Sequence, residues 1–227
     1  MKTITKPVIA SAMVTVFLAG APWASAVDGK WNADASDNWS VASRWTNNQI
    51  ADGIGATANI AYNITAARTL TLDGPRTVGK IRFNDDTTSS HDWTFAASGG
   101  NVLTLQVVSG SPTIDSGNRT VNFNAPFTGS QGFTKLGTST LILNTASNNF
   151  SGKVYLNAGT TRFLSGYTIG AEPVTYEADA ITLNSGTLMN HNPNTLTIGP
   201  TRGITLGASG GYLLAGWGSP VIINSVI

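Results

Sequence analysis

The stretch FTKLGTSTLILNTASNNFSGKVYLNAGTTRF, residues 133–163, states one pattern twice. A short alternating run ends in Asn at LILN (141–144), a polar Gly-containing stretch follows, and a second alternating run ends in Asn at VYLN (154–157). An echo of this kind either frames a chemical site or marks a unit that stacks. The alternation has period two, so each run reads as a strand with one buried face.

The same pattern recurs on either side. RTLTLD (68–73), GKIRF (79–83), NVLTLQV (101–107), RTVNFN (119–124), AITLN (180–184), NTLTI (194–198) and GITLG (203–207) are short alternating runs separated by Gly, Asn, Asp and Ser, which suit tight turns. Strands this short and this closely spaced leave no room for crossover helices, so the reading is all-β. A sandwich or barrel and a solenoid both satisfy it.

The spacing of the Asn-ended runs favours the solenoid. Asn144 to Asn157 is 13 residues and Asn157 to Asn184 is 27, close to twice that interval. Stacked coils set equivalent residues about 4.8 Å apart. Asn tolerates a left-handed corner and its amide can bond to the coils above and below. Phe133, Leu141, Leu143, Val154, Leu156 and Phe163 are expected inside, and Gly152, Gly159, Gly166 and Gly186 are expected where the chain turns.

Composition supports this. Of 227 residues, 41% are hydrophobic and only 11% charged, against roughly 25% charged in an average globular chain. Like charges stacked at coil spacing would repel, so a solenoid is expected to be charge-poor. The absence of cysteine excludes thiol catalysis, zinc thiolate sites and iron–sulfur clusters.

Residues 1–26, MKTITKPVIASAMVTVFLAGAPWASA, read as a cleaved secretory signal, with Lys2 and Lys6 before an apolar run and Ala24-Ser25-Ala26 as the cleavage pattern. The apolar run is shorter than the roughly 20 residues a span requires, so no membrane insertion of the mature region is expected. The 13 basic residues include Lys2 and Lys6, which leaves the remainder close to neutral against 12 acidic ones. No basic cluster points to nucleic acid. Residues 27–65 then form a Trp-rich cap region, and 66–227 the solenoid proper.

Within the cap region, Trp31, Trp39 and Trp45 lie close together in sequence. They are either core and end-cap residues or a platform on which a carbohydrate could stack. Acid–base chemistry has two sets of candidates. Asp85, Asp86 and Asp92 could serve a polysaccharide-active β-helix enzyme, a lyase or hydrolase, although NDDTTSS also reads as a turn. His91 and His191 sit in unrelated settings without a nucleophile elbow, and read as loop histidines. No EF-hand, HExxH or calcium-binding nonapeptide occurs, so no metal or other cofactor is expected.

Residues 132–163, GFTKLGTSTLILNTASNNFSGKVYLNAGTTRF, closely resemble the autotransporter-associated β-strand repeat, whose pattern is roughly G-L-T-K-x-G-x-G-T-L-x-L-x-G-x-N-x-Y-x-G-x-T-x-I-x-x-G-T-L. Phe133 stands for the first Leu, Thr134, Lys135, Gly137, Thr140 and Leu141 match, and Gly159-Thr160 closes the unit. Ser139 and Asn144 replace glycines, and Asn149-Phe150-Ser151-Gly152 follows the N-x-Y-x-G segment loosely. WNADASDNWSVASRW (31–45) and the coils after 180 are similar in style to the flanks of such proteins. The resemblance implies a right-handed parallel β-helix, secreted or at the bacterial cell surface as part of a passenger serving adhesion or surface structure, with no enzymatic activity. Its partners would be glycans or host and cell-surface components. Such passengers usually continue into a C-terminal barrel or anchor, so a chain stopping at SPVIINSVI (219–227) reads as truncated.

Overall fold

A computed structural model describes residues 25–85, 91–145, 148–191, 193, 195–216 and 218–227, with the backbone alone at 167. The first coil holds β1 (Gly29–Lys30) and β2 (Asp37–Asn38), followed by two 3-10 turns, Ala42–Arg44 and Thr46–Asn48. The second holds β3 (Thr57–Ala61), β4 (Arg68–Leu72) and β5 (Arg76–Val78), and the third β6 (Lys80–Asn84), β7 (Trp93–Ala97) and β8 (Leu103–Leu105). The fourth holds β9 (Thr113–Asp115), β10 (Val121–Phe123) and β11 (Phe127–Gly129). The fifth holds β12 (Phe133–Leu136), β13 (Thr140–Leu143) and β14 (Asn149–Phe150).

In the sixth coil β15 (Val154–Leu156) and β16 (Thr160–Phe163) lead into a 3-10 turn, Gly166–Ile169, where a third strand would be expected. The seventh holds β17 (Glu177–Leu183), β18 (Thr187–Asn190) and β19 (Leu196–Ile198), and the eighth β20 (Arg202–Leu206), β21 (Tyr212–Leu214) and β22 (Val221–Ile223).

Equivalent strands stack in parallel into three faces. The first face runs β1-β3-β6-β9-β12-β15-β17-β20 and the second β2-β4-β7-β10-β13-β16-β18-β21, eight strands each. The third face is β5-β8-β11-β14, broken at the sixth coil and resumed by the pair β19-β22. The chain is therefore a parallel β-solenoid, and the alternation of each strand sends every second side chain inward. All six side chains expected inside are buried: Phe133, Leu141, Leu143, Val154, Leu156 and Phe163.

The echo that suggested the solenoid has a different meaning from the one its spacing implied. LILN lies on the second face in β13 and VYLN on the first face in β15, so 13 residues is a step between faces. A full coil here takes 20 or 21 residues, as the registers Leu141↔Thr161 and Phe133↔Val154 require. The 27-residue interval from Asn157 to Asn184 is likewise a single coil, since Leu156 pairs with Leu183. Asn-to-Asn stacking does occur, between Asn144 Nδ2 and Asn124 Oδ1 of the preceding coil at 2.8 Å.

The interior begins at the tryptophans. Trp31 packs edge-on to Trp45 at 5.4 Å, Trp45 meets Trp39 at 5.2 Å, and Trp39 meets Phe95 at 5.7 Å. The contacts then continue Phe95–Phe123–Phe127–Phe150 at 4.8 to 5.5 Å. Each indole N–H finds a backbone carbonyl: Trp31 donates to Ala33, Trp39 to Ala51 and Trp45 to Trp39. That removes the penalty of burying an unpaired donor.

Asp side chains stitch the first coil to the second. Asp28 accepts from Thr57 N at 2.7 Å, Asp34 from the hydroxyl of Thr65 and Nε of Arg68, and Asp52 from Thr77 N and Arg76. Ser40 donates through its hydroxyl to Asp73.

Candidate functional site

Trp31, Trp39 and Trp45 are 0, 0 and 1% exposed. A ring that stacks on a sugar needs an open face, and these three are covered by one another and by the coils below. They are the end-cap and core of the two sequence alternatives, and the rings offer no carbohydrate platform.

Of the acid candidates, Asp85 and Asp92 stand in different settings. Asp85 is fully buried, with its backbone N–H and carbonyl held by the Asn118 amide at 3.3 and 2.8 Å, so its carboxyl faces no open substrate cleft. Asp92 is exposed at the entry to β7, where its carbonyl accepts from Arg68 N. Asp86 lies outside the described residues. His91 precedes β7 in the third coil and His191 follows β18 in the seventh, four strand steps apart on the second face, which is about 19 Å. Burial and the charge of Arg162 hold the His191 imidazole below its ordinary pKa. Among the described residues no cluster of three His, Cys, Asp or Glu could hold a metal ion, and no helix is long and apolar enough to cross a membrane.

An interior position of β12 carries an ammonium group. Lys135 follows Phe133 on the inward side of β12 and is fully buried. Its ammonium donates to the carbonyls of Gly137 at 2.6 Å, Ser139 at 2.7 Å and Ala158 at 3.0 Å. Ala158 belongs to the next coil, so the lysine ties two successive first-to-second-face corners together. Burial pushes its pKa down to about 8, with the carboxylate of Asp115 acting the other way.

Among the described residues at least three depressions have ligand size: one of about 480 Å³ beside the first coils, lined by Lys30, Trp31, Asp34 and Tyr62, and two larger ones farther along the solenoid. Of these two, one, about 610 Å³, opens where the third face is broken, and is lined by Asn149, Ser165, Glu172 and Thr197. Arg202, almost wholly buried, fixes its wall by donating to the carbonyls of Gly170 and Ala171 at 3.1 and 2.7 Å. Glu172 accepts from the Thr201 hydroxyl at 2.8 Å.

The other depression, about 550 Å³, lies along the edge where the third face turns into the first. At this edge the third coil makes a long corner, 106–112, and the sixth makes another, 170–176. Between them the corners at 130–132 and 151–153 are short. Gly132 and Gly152 have φ of +63° and +90°, and a Cβ on Gly132 would sit 1.8 Å from the Lys153 carbonyl, so these corners stack backbone on backbone. Gly132 N donates to Ser151 O at 2.7 Å and Ser151 N to Gly129 O at 2.8 Å.

The result is an open valley between the two longer corners. Its floor and walls include Ser111, Gln131, Lys153, Tyr155 and Glu177. Gln131 Oε1 accepts from Val107 N at 2.9 Å, and Thr134 donates to the Ser111 hydroxyl at 3.1 Å. Lys153 donates to Asp179 at 2.7 Å and lies 3.6 Å from Glu177, and the Asp179 bond first of all raises the lysine's pKa. No sequence motif announced these residues. The signal was the coil of 27 residues between Val154 and Ile181, set beside one of 21 between Phe133 and Val154.

No family model matches the chain, and no solved structure matches it. Over 162 residues, 71% of its length, the chain is 30% identical to the adhesin BmaC autotransporter of Brucella suis biovar 1 (strain 1330). It spans 4% of that protein's length. Sequence likeness to an autotransporter adhesin and coils stacked in parallel are together consistent with an autotransporter-associated β-strand repeat protein.

Proposed function

We propose that this chain is an exported, surface-displayed solenoid of adhesin type, with no catalytic chemistry of its own, that binds components of other surfaces. The observation that carries the reading is its likeness, over 71% of its length, to an autotransporter adhesin. The burial of Asp85, the exposure of Asp92 and the distance between the two histidines support the non-catalytic part, because acid–base cleavage of a polysaccharide needs two carboxyl groups facing one bond. Residues 1–26 would direct export.

Two measurements test this. Bacteria displaying the full chain should adhere to cultured cells or immobilised matrix above a non-displaying control, and equal adhesion would refute the adhesin reading. Purified chain incubated with pectin, alginate and glucans should release no reducing ends or unsaturated sugars. Release above a heat-treated control would make it an enzyme.

A further inference from the structure

We infer that the valley along the third-to-first edge is a binding site for short neutral or amino-sugar oligosaccharides, with the Tyr155 ring as its stacking surface. The inference rests on the adhesin reading and gives it a place and a ligand chemistry.

Solenoids concentrate insertions at corners, and the corners that grow are commonly the binding ones. Here the two long corners expose apolar side chains that a structural turn would hide. Val108 is 88% exposed on the first of them, and Val174 and Tyr176 are 98 and 49% exposed on the second. Three coil steps separate them, about 14 Å at the spacing of paired strands. The valley between is 550 Å³, inside the roughly 300–1,000 Å³ range of ligand sites. Stacked glycine corners fix its floor, so little ordering remains to oppose binding.

The lining selects the ligand. Tyr155 projects outward from β15 between Thr134 of one coil and Thr182 of the next, and its half-buried ring lines the valley. Serine hydroxyls and the Gln131 amide offer bonds to sugar hydroxyls. Lys153 is matched against two carboxylates, Asp179 and Glu177, so the local charge is negative. A uronic acid or sialic acid would be repelled, whereas a neutral hexose or a protonated amino sugar would not.

The test uses the full chain, titrated with mannohexaose, chitohexaose and an oligogalacturonate, followed by calorimetry and ligand-observed NMR. At least one neutral or amino-sugar hexamer should bind saturably, and the oligogalacturonate at least tenfold more weakly. Tyr155→Ala should weaken binding tenfold or more with an unchanged thermal melt, Tyr155→Phe should retain it, and Tyr62→Ala, in the second coil, should leave it as in the parent. The inference is overturned if neither hexamer binds, if the oligogalacturonate binds as tightly, or if Tyr155→Ala binds like the parent. Should the displayed parent and displayed Tyr155→Ala adhere equally, the valley fails and the adhesin reading survives. Should the parent not adhere, the adhesin reading fails, and the titration still decides the valley.

Discussion

Thr161 occupies an interior position of β16, in register between Leu141 of one coil and Leu188 of the next. It is fully buried, and its hydroxyl has no hydrogen-bond partner among the described residues. Replacing it by valine exchanges that hydroxyl for a methyl of nearly the same volume. A buried hydroxyl without a partner costs roughly 1–3 kcal/mol, and the added methyl gains up to about 0.8 kcal/mol of burial. Valine also suits a strand better. Thr161→Val should therefore stabilise the chain by about 1–3 kcal/mol, which for a chain of this size raises Tm by roughly 2–12 °C. Thermal melts and urea titrations read the change, and the urea slope should stay constant. Thr168→Val is the matched control. It is equally buried, but its hydroxyl donates to Ser165 O at 2.7 Å, so the same exchange should destabilise by about 1 kcal/mol. If Thr161→Val melts at or below the parent temperature, the assignment of that hydroxyl as unpaired is wrong.

Leu143→Asp puts a carboxylate in the centre of the core, and no folded, cooperatively melting protein should be recovered; a parental melt would refute the inward register of β13. Lys135 is held at about 8 when folded, against roughly 10.4 when unfolded. Between those values the unfolded chain binds more protons, so this residue makes stability rise from pH 8 to 10.5, and urea titrations of Lys135→Met across that window should lose the rise. Hydrogen bonds from Arg68 and Thr65 hold the Asp34 carboxyl well below its usual range, and Arg44 does the same for Asp37. Their contribution is present above about pH 4 and fades as pH falls below it. Asp34→Asn should flatten the acid limb of a Tm-against-pH curve, and an unaltered limb would show that the first-coil stitches carry no weight.

Much of the architecture was readable because alternation is a local property. A run such as TLIL declares its inward side chains without reference to any other part of the chain, and Leu141 and Leu143 are where it puts them. Coil length is not local. LILN and VYLN look alike because both are strand ends leading into polar turns, and only the pairing of Phe133 with Val154 distinguishes a step between faces from a complete turn. Lys135 illustrates a second limit. Its place in F-T-K-L puts it inside, but a buried ammonium becomes tolerable only because carbonyls from two coils converge on it, and that convergence is tertiary. The valley was invisible for a related reason: Ser111, Gln131, Tyr155 and Glu177 come from corners and strands of several coils, with no fixed spacing between them.

The aromatic column gives the molecule a direction. Rings fill the interior from Trp31 to Phe150, and among the described residues after Phe163 the buried hydrophobic side chains are aliphatic, such as Ile181, Leu183, Leu188 and Ile204. Each ring buries roughly 150–250 Å², so the coils of the first half gain more from closing than those of the second. In a stack whose members touch only their neighbours, this sets an order of opening. Amide exchange should be fastest in the late coils and slowest between the third and the fifth, and growth of the fold should start from the rings and zip toward the leucines.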